Sequence, residues 1–354
     1  MKANGHFGKL PALACAAAAV LLACPLPAPA GEPAAPAIDE PLEVVTPWGQ
    51  HVQPNLDDYI SLERMRSLAP GEPWVADDAL ARRLRTEAVA GRLAVERYPR
   101  RLATGVYVLG HAGFEQLSYL LDTGAGLVLV DPSLEAWQDE LRAQVRALGH
   151  APAEVKWVLL THAHIDHGQA AHLWRRAGAR LLAGEGDAQP LESCNSIVAT
   201  WVEPQAGGRC TPTPVDQRLH DGDILRLGAL RIDVIAAPGH TPGSTAYRFA
   251  REGREFLLSG DVALHDGRHA WMANPYADWA QYRASLAKLA HFSIEGHPVA
   301  FDVLLPGHGT IDLDMAQRSI RETLRIVDWI MARRAAGEDV DWIEPYAWHW
   351  REAR

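Results

Sequence analysis

Two kinds of apolar spacing alternate along this chain. Short apolar runs split by Gly and Asp are typical of strands joined by tight turns. Such runs occupy residues 106–109, 118–121, 127–130, 155–160, 224–227, 230–236, 244–249, 255–258 and 303–305. Helical periodicity occupies residues 77–97, 134–148, 169–177, 278–290 and 312–336. Two strand-rich halves with helices beside them predict a layered α/β domain.

The first thirty residues have the order of a signal peptide. They contain two charged residues, Lys2 and Lys9, then an apolar run over residues 12–23 and a Pro/Ala-rich stretch that ends at Ala30. The apolar run is too short to span a membrane. We therefore predict a signal peptide over residues 1–30 and a periplasmic or secreted protein. A lipoprotein anchored through Cys24 is the alternative, because Ala23 before Cys24 resembles a lipoprotein cleavage site.

The remaining chain is predicted to have three parts: an N-terminal extension with a helix over residues 31–98, a main domain over 99–315 and a C-terminal helical tail over 316–354. The formal net charge of −10 argues against nucleic acid or an anionic membrane as a partner and leaves a small-molecule substrate. Cleavage after Ala30 leaves Cys194 and Cys210. An oxidising compartment favours a disulfide between them over two free thiols.

The segment 161–168, with the sequence THAHIDHG, contains the candidate chemistry. It follows a predicted strand, so His162 and His164 point the same way on an extended segment. The following turn can bring Asp166 and His167 toward a neighbouring position. Imidazole and carboxylate groups both suit zinc. A loop of ordinary buried histidines is the alternative, but each imidazole would then need its own hydrogen-bond partner. The segment therefore predicts a metal site.

Three later residues have a related placement. Each comes directly after a glycine where a predicted strand runs into a loop: His240, Asp261 and His308. Loops on a rigid scaffold commonly carry functional residues, and glycine lets the backbone turn sharply there. Asp131 also follows a predicted strand near the same edge. It is expected either to hydrogen-bond a ligand or to cap a turn.

In chain order and in strand–loop context, these blocks resemble the metallo-β-lactamase superfamily over about residues 102–312. The resemblance implies an αββα four-layer sandwich with an N-terminal extension and a C-terminal helix, and with two metal ions at one edge between the sheets. By the same resemblance, one metal takes His162, His164 and His240, and the other takes Asp166, His167 and His308. Asp261 would bridge the two ions.

The resemblance also limits the substrate. The layout around Asn274, Pro275 and Tyr276 resembles the third subclass of metallo-β-lactamases. However, that subclass has Ser where this chain has Asp261, and the first two have Cys. Asp at this position is the pattern of lactonases and glyoxalase II.

Three imidazoles leave an open position on a catalytic zinc, and two metals lower the pKa of a shared water. We therefore predict an exported hydrolase with two zinc ions, for which iron or manganese are alternatives. A metal-bridging hydroxide would attack the carbonyl of a small amide, ester or lactone, with β-lactams among the candidates. Asp166 would orient the hydroxide or take its proton. The alternatives are a glyoxalase II-like thioesterase, against which only a short tail follows His308, and a mononuclear-iron sulfur dioxygenase.

Overall fold

The structure is a computed structural model. It describes residues 98–111, 116–194, 210–264, 268–272, 276–309, 311–314 and 316–337, and the backbone of three short strands at Val44–Val45, His51–Val52 and Arg92–Leu93. The predicted signal peptide, Cys24, most of the N-terminal extension and the end of the tail lie outside the described residues. The boundaries of the predicted parts therefore stay predictions.

Nine of the described strands coincide with the nine apolar runs of the sequence, and the others were not predicted. In chain order they are β1 (Val44–Val45), β2 (His51–Val52), β3 (Arg92–Leu93), β4 (Arg100–Ala103), β5 (Val106–Gly110), β6 (Leu117–Asp122), β7 (Leu127–Val130), β8 (Val155–Leu159), β9 (Arg180–Gly184), β10 (Gln217–Leu219), β11 (Ile224–Leu227), β12 (Leu230–Ala236), β13 (Thr245–Arg251), β14 (Arg254–Gly260), β15 (Ser293–Ile294), β16 (His297–Pro298), β17 (Val303–Pro306) and β18 (Ile311–Asp312).

The described helices are α1 (Gln138–Ala147), α2 (Ile165–Gly168), α3 (Ala171–Arg176), α4 (Glu185–Ser193), α5 (Trp279–Ala290) and α6 (Ala316–Ala335). Helix α5 begins where the side chain of Asp278 accepts a hydrogen bond from the backbone N–H of Gln281, which is an N-cap. The prediction of a helix over 77–97 is wrong at its end, because Arg92–Leu93 pair with β18 as a strand. Most of that predicted helix lies outside the described residues.

Most of these strands form two seven-stranded sheets. The first has the order β10-β9-β8-β7-β6-β5-β4, and the second has the order β11-β12-β13-β14-β17-β18-β3. In the second sheet β12 and β14 are both antiparallel to β13, and β14 is parallel to β17. The carboxyl ends of β12, β14 and β17 therefore reach the same edge of the sheet.

The two sheets pack face to face, and helices cover their outer faces. Along β5, Val106 and Val108 lie in a buried cluster together with Val234 and Phe249 of the second sheet. The alternating residues Tyr107 and Leu109 instead join a second cluster with Leu141 of α1 and Trp174 of α3. This alternation is expected of a strand buried on both faces.

The second sheet has the matching arrangement. Ile235 and Leu257 point away from the first sheet into a third cluster, with Leu286 of α5 and Val327 of α6. The layer order is therefore helices, sheet, sheet, helices, as the αββα prediction requires. Among the helices of the described residues, none combines the length and apolar character that a bilayer crossing requires.

The predicted disulfide is present between Cys194 and Cys210, whose Cα atoms are 5.6 Å apart. Cys194 lies at the end of α4, and Cys210 begins the segment that leads to β10. The backbone N–H of Thr213 donates to the carbonyl oxygen of Leu191, 2.8 Å away. The covalent link thus reinforces a contact between the two segments that hydrogen bonding already makes.

Candidate metal centre

The segment 161–168 leaves β8 extended and then turns into α2. His164 has an extended conformation, and its carbonyl oxygen accepts from the backbone N–H groups of His167 and Gly168. This turn brings Asp166 and His167 beside the two preceding histidines, as predicted. The rings of His162 and His167 have centroids 4.0 Å apart.

Three histidines form one compact set, which we call the three-histidine group: His162, His164 and His240. The Nε2 atom of His162 lies 3.0 Å from Nδ1 of His164. The ring of His240 arrives from the end of β12, with its centroid 4.5 Å from that of His164. One ligand atom from each residue lies within 4.8 Å of the others, so a single cation could contact all three.

Asp166, His167 and His308 form a second group. The Nε2 atoms of His167 and His308 are 3.1 Å apart. Oδ2 of Asp166 lies 3.3 Å from Nε2 of His308 and 3.7 Å from Nε2 of His167. Their ligand atoms also fit around one cation.

Asp261 lies between the two groups. Its Oδ2 is 3.5 Å from Nε2 of His240 and 3.5 Å from Nε2 of His308. Its Oδ1 is 3.5 Å from Nε2 of His167. Gly307 permits this approach, because a Cβ there would lie 2.2 Å from Oδ1 of Asp261. The structure therefore brings all seven sequence-predicted residues together in one cluster.

The outward ring nitrogens of four of these histidines have partners. Nδ1 of His162 lies 3.1 Å from Oγ1 of Thr161, and Nε2 of His164 lies 2.7 Å from the hydroxyl of Tyr276. Nδ1 of His167 lies 2.9 Å from a carboxylate oxygen of Asp131. Nδ1 of His240 lies 3.1 Å from the carbonyl oxygen of Trp271.

The inward-facing atoms are those that a cation would satisfy. Nε2 of His240 and Oδ1 of Asp261 are buried and have no hydrogen-bond partner among the described residues. Buried polar atoms are normally paired, so these two unpaired atoms are suited to bind a cation. Neutral imidazoles whose outward nitrogens are held by partners are typical of zinc sites. The residues present therefore fit a bound metal.

Electrostatics divide the centre into two sides. Burial lowers the pKa of His162 and of His164 well below its usual value, and lowers that of His240 to about 4. Burial alone would also lower the pKa of His167, but the nearby carboxylates of Asp166 and Asp261 outweigh it and raise the pKa to about 10. The three-histidine group is thus neutral at pH 7, and the second group combines charge of both signs.

The carboxylates of the centre are ionised. Burial would raise the pKa of Asp166, but His167 and His308 outweigh burial and hold it well below its usual range. The pKa of Asp261 is lowered in the same way, chiefly by His308 and His167. Carboxylate and imidazole groups together form a donor set that suits a divalent cation such as zinc.

Two residues beside the candidate ligands contact them from outside the cluster: Asp131 and Tyr276. The carboxylate of Asp131, for which the sequence left two roles open, contacts His167, one of the candidate ligands. The contact of Tyr276 with His164 was not predicted, because it joins residues 112 positions apart.

A sandwich of two sheets with covering helices, and a histidine–aspartate centre at one edge, is the architecture of a metallo-hydrolase. A sequence profile described as the metallo-β-lactamase superfamily matches residues 112–295, which is more than half of the chain. The chain belongs to the metallo-β-lactamase superfamily.

Individual relatives cover less of the chain. A probable metallo-hydrolase of Burkholderia pseudomallei is 34% identical over 167 residues, which are 44% of this chain and 51% of that protein. A hydroxyacylglutathione hydrolase of Anaeromyxobacter dehalogenans is 34% identical over 156 residues, 44% of this chain and 49% of its own. The chain thus spans about half the length of these two relatives. Acyl-coenzyme A thioesterases and persulfide dioxygenases also match.

Among solved structures, a B3 metallo-β-lactamase with an active-site glutamic acid is similar. It is 27% identical with a TM-score of 0.54, and the match covers 71% of this chain and 95% of that one.

Proposed function

We propose that this chain is an exported hydrolase that uses two zinc ions to cleave the carbonyl group of a small amide, ester or lactone. The observation that carries the proposal is the division of the donors. A neutral three-histidine group and a second group of Asp166, His167 and His308 face each other, and Asp261 lies between them.

The division of the donor residues into two groups supports a site with two metal ions rather than one. The three-histidine group would hold the first ion, and three protein ligands are the number that catalytic zinc sites commonly use. The second group would hold the second ion, and Asp261 lies between the two groups. When bound, such a pair of ions supplies Lewis acidity and lowers the pKa of a water molecule toward neutrality.

Asp166 is placed to handle the water and its proton. Its side chain is 17% exposed, as is that of His308, while His167 is fully buried. Water and substrate can therefore approach from the Asp166 and His308 side. As an ionised carboxylate, Asp166 can accept a hydrogen bond from the attacking water, orient it, and take its proton.

The outward partners of the histidines keep the donors in position. Asp131 accepts a hydrogen bond from Nδ1 of His167 and so keeps a proton on that atom, and Nε2, which faces the centre, is the nitrogen whose proton a metal would displace. Tyr276 holds Nε2 of His164 in the same manner and leaves its Nδ1 facing His162.

A thioester is the second candidate substrate. A hydroxyacylglutathione hydrolase is 34% identical over 44% of this chain. Asp261 stands where glyoxalase II also has Asp, and this supports an ester, thioester or lactone substrate over a β-lactam.

Export is supported by two independent features. The first thirty residues have the order of a signal peptide, and Cys194 and Cys210 form a disulfide. Disulfides persist in oxidising compartments and are rare in reducing ones.

The test is a hydrolysis screen of zinc-loaded protein, with a chromogenic cephalosporin, an acyl-homoserine lactone and a glutathione thioester as substrates. We expect about two zinc ions per chain by elemental analysis and turnover of at least one substrate. If the protein holds only iron and consumes oxygen in the presence of a persulfide, the proposal that it is a hydrolase is refuted.

A matched pair of histidine variants ties activity to the centre. His308→Ala removes a donor from the second group and should lower both zinc content and turnover. His220→Ala changes a histidine whose side chain is 65% exposed and lies outside the centre, and should change neither. Equal behaviour of the two variants would contradict the assignment of His308.

A further inference from the structure

Asp187, in the first turn of α4, is a buried carboxylate outside the metal centre. It has no exposed surface, and among the described residues it makes no ion pair with Arg, Lys or His. Burying a charge is costly unless hydrogen bonds compensate for it. The contacts of Asp187 therefore indicate what the carboxylate does.

Its three hydrogen bonds go to the two loops that supply the three-histidine group. Oδ2 accepts from the backbone N–H of Ala163, 2.8 Å away, and Ala163 lies between His162 and His164. Oδ2 also accepts from the hydroxyl of Thr241 at 2.8 Å, and Oδ1 accepts from the backbone N–H of Gly243 at 2.7 Å.

These two loops come from different sheets. The loop with Ala163 follows β8 of the first sheet, and the loop with Thr241 and Gly243 follows β12 of the second. One side chain thus links the two ends of the three-histidine group across the sandwich.

The backbone around Asp187 leaves no room for the loops to shift. A Cβ on Gly186 would lie 2.5 Å from the carbonyl oxygen of Pro242, and one on Gly243 would lie 2.2 Å from the backbone nitrogen of Asp187. Glycine at both positions lets the start of α4 touch the His240 loop directly.

An uncharged side chain would be easier to bury here. Burial raises the pKa of Asp187 to about 6 in spite of its three hydrogen bonds. However, all three partners are donors, and an amide could accept at only one of its two polar atoms. The site therefore requires acceptors on both oxygens, which only a carboxylate of this size provides.

We propose that Asp187 is a positioning residue that fixes His162 and His164 relative to His240, and thereby sets the zinc affinity of the three-histidine group. This inference rests on the proposed function, since it assumes that this group binds zinc. It assigns the role to a residue that does not itself touch the ion.

The test is zinc titration against a chromogenic chelator. His308→Ala serves as the background, because it weakens the second group and leaves the three-histidine group to be measured. Adding Asp187→Asn should lower zinc affinity by about ten- to a hundred-fold, the range for residues that orient a metal ligand. Thr241→Val, which removes one donor and leaves the charge, should give a smaller loss.

Asp216→Asn is the matched control. Asp216 also accepts from a backbone N–H, that of Leu181 at 2.8 Å, and it pairs with Arg175 away from the centre. We expect Asp216→Asn to leave zinc affinity unchanged in the same background. Circular dichroism of each metal-free variant shows whether it is folded.

The outcomes separate this inference from the proposed function. If the unmodified protein binds no zinc, the proposed function fails. If it binds zinc and Asp187→Asn binds it equally well, or if Asp216→Asn loses as much affinity, the positioning role is refuted. If Asp187→Asn does not fold, Thr241→Val decides: a selective loss supports the role, and an unchanged affinity overturns it.

Discussion

Replacing Asp131 by Asn would test how the second group is held. Asp131 accepts from the backbone N–H of Thr161 at 2.8 Å, from the hydroxyl of Thr161 at 2.6 Å and from Nδ1 of His167 at 2.9 Å. Its φ of 50° is one that Asn tolerates as well as Asp, so the backbone should not change. The substitution therefore replaces one carboxylate oxygen of Asp131 by an NH₂ group and changes nothing else.

The amide has two ways to fit, and both are unfavourable. If its NH₂ faces Thr161 N–H, two buried donors oppose each other, which costs about 1–3 kcal/mol. If its NH₂ faces His167, Nδ1 must become the acceptor, and the ring proton moves to Nε2. In that tautomer Nε2 of His167 cannot bind a metal.

We therefore expect Asp131→Asn to lower the affinity for the second zinc by about ten- to a hundred-fold. Metal-free protein should lose about 1–3 kcal/mol in the free energy of unfolding in urea. Asp122→Asn is the control, since the side chain of Asp122 accepts from the backbone N–H of Gly124 in an exposed turn away from the centre. The reasoning is wrong if Asp131→Asn titrates with two zinc ions as tightly as the unmodified chain.

Three further changes give distinct results. Replacing Cys194 and Cys210 by Ser removes a disulfide that joins residues 16 positions apart. We expect this to lower the free energy of unfolding in urea by about 3 kcal/mol. Reducing the unmodified protein with dithiothreitol should give the same loss. Asp261→Ser should weaken the second zinc and lower turnover, and an unchanged zinc content and rate would remove Asp261 from the centre. Tyr282→Phe leaves the buried N–H of Ala270 without its acceptor and should lower the melting temperature through a loss of about 1–3 kcal/mol, without changing zinc content.

The metal centre was predictable because its signals are local. Each ligand follows an apolar run that forms a strand, so the strand ends could be placed from the sequence, and the spacing of His162, His164 and His167 is fixed by a few backbone dihedrals. The hydrogen-bond partners of these residues were harder to predict from the sequence. Tyr276 and Asp187 reach the centre only through packing between distant segments, and no spacing rule contains that information.

Several helices and strands were not predicted from the sequence, and there are physical reasons for this. Helix α4 contains Pro190, which lacks the N–H of a helical residue and normally ends a helix. Strand β9 is short, and four of its five residues are buried, so it lacks the alternation that marks a half-exposed strand. Strand β4 pairs with β5 through an irregular register between Arg101 and Ala103, and no local sequence pattern predicts such an irregularity.

The origin of the donors in two sheets has a consequence for the stability of the whole molecule. His162, His164, Asp166 and His167 extend from the first sheet, and His240, Asp261 and His308 extend from the second. In the proposed site, each bound ion is a cross-link between the two halves of the sandwich. An ion at about a thousand times its dissociation constant would add about 4 kcal/mol to the folded state. The melting temperature of this protein would then report the free zinc of its surroundings, and zinc starvation would expose the chain to proteases before it limited catalysis.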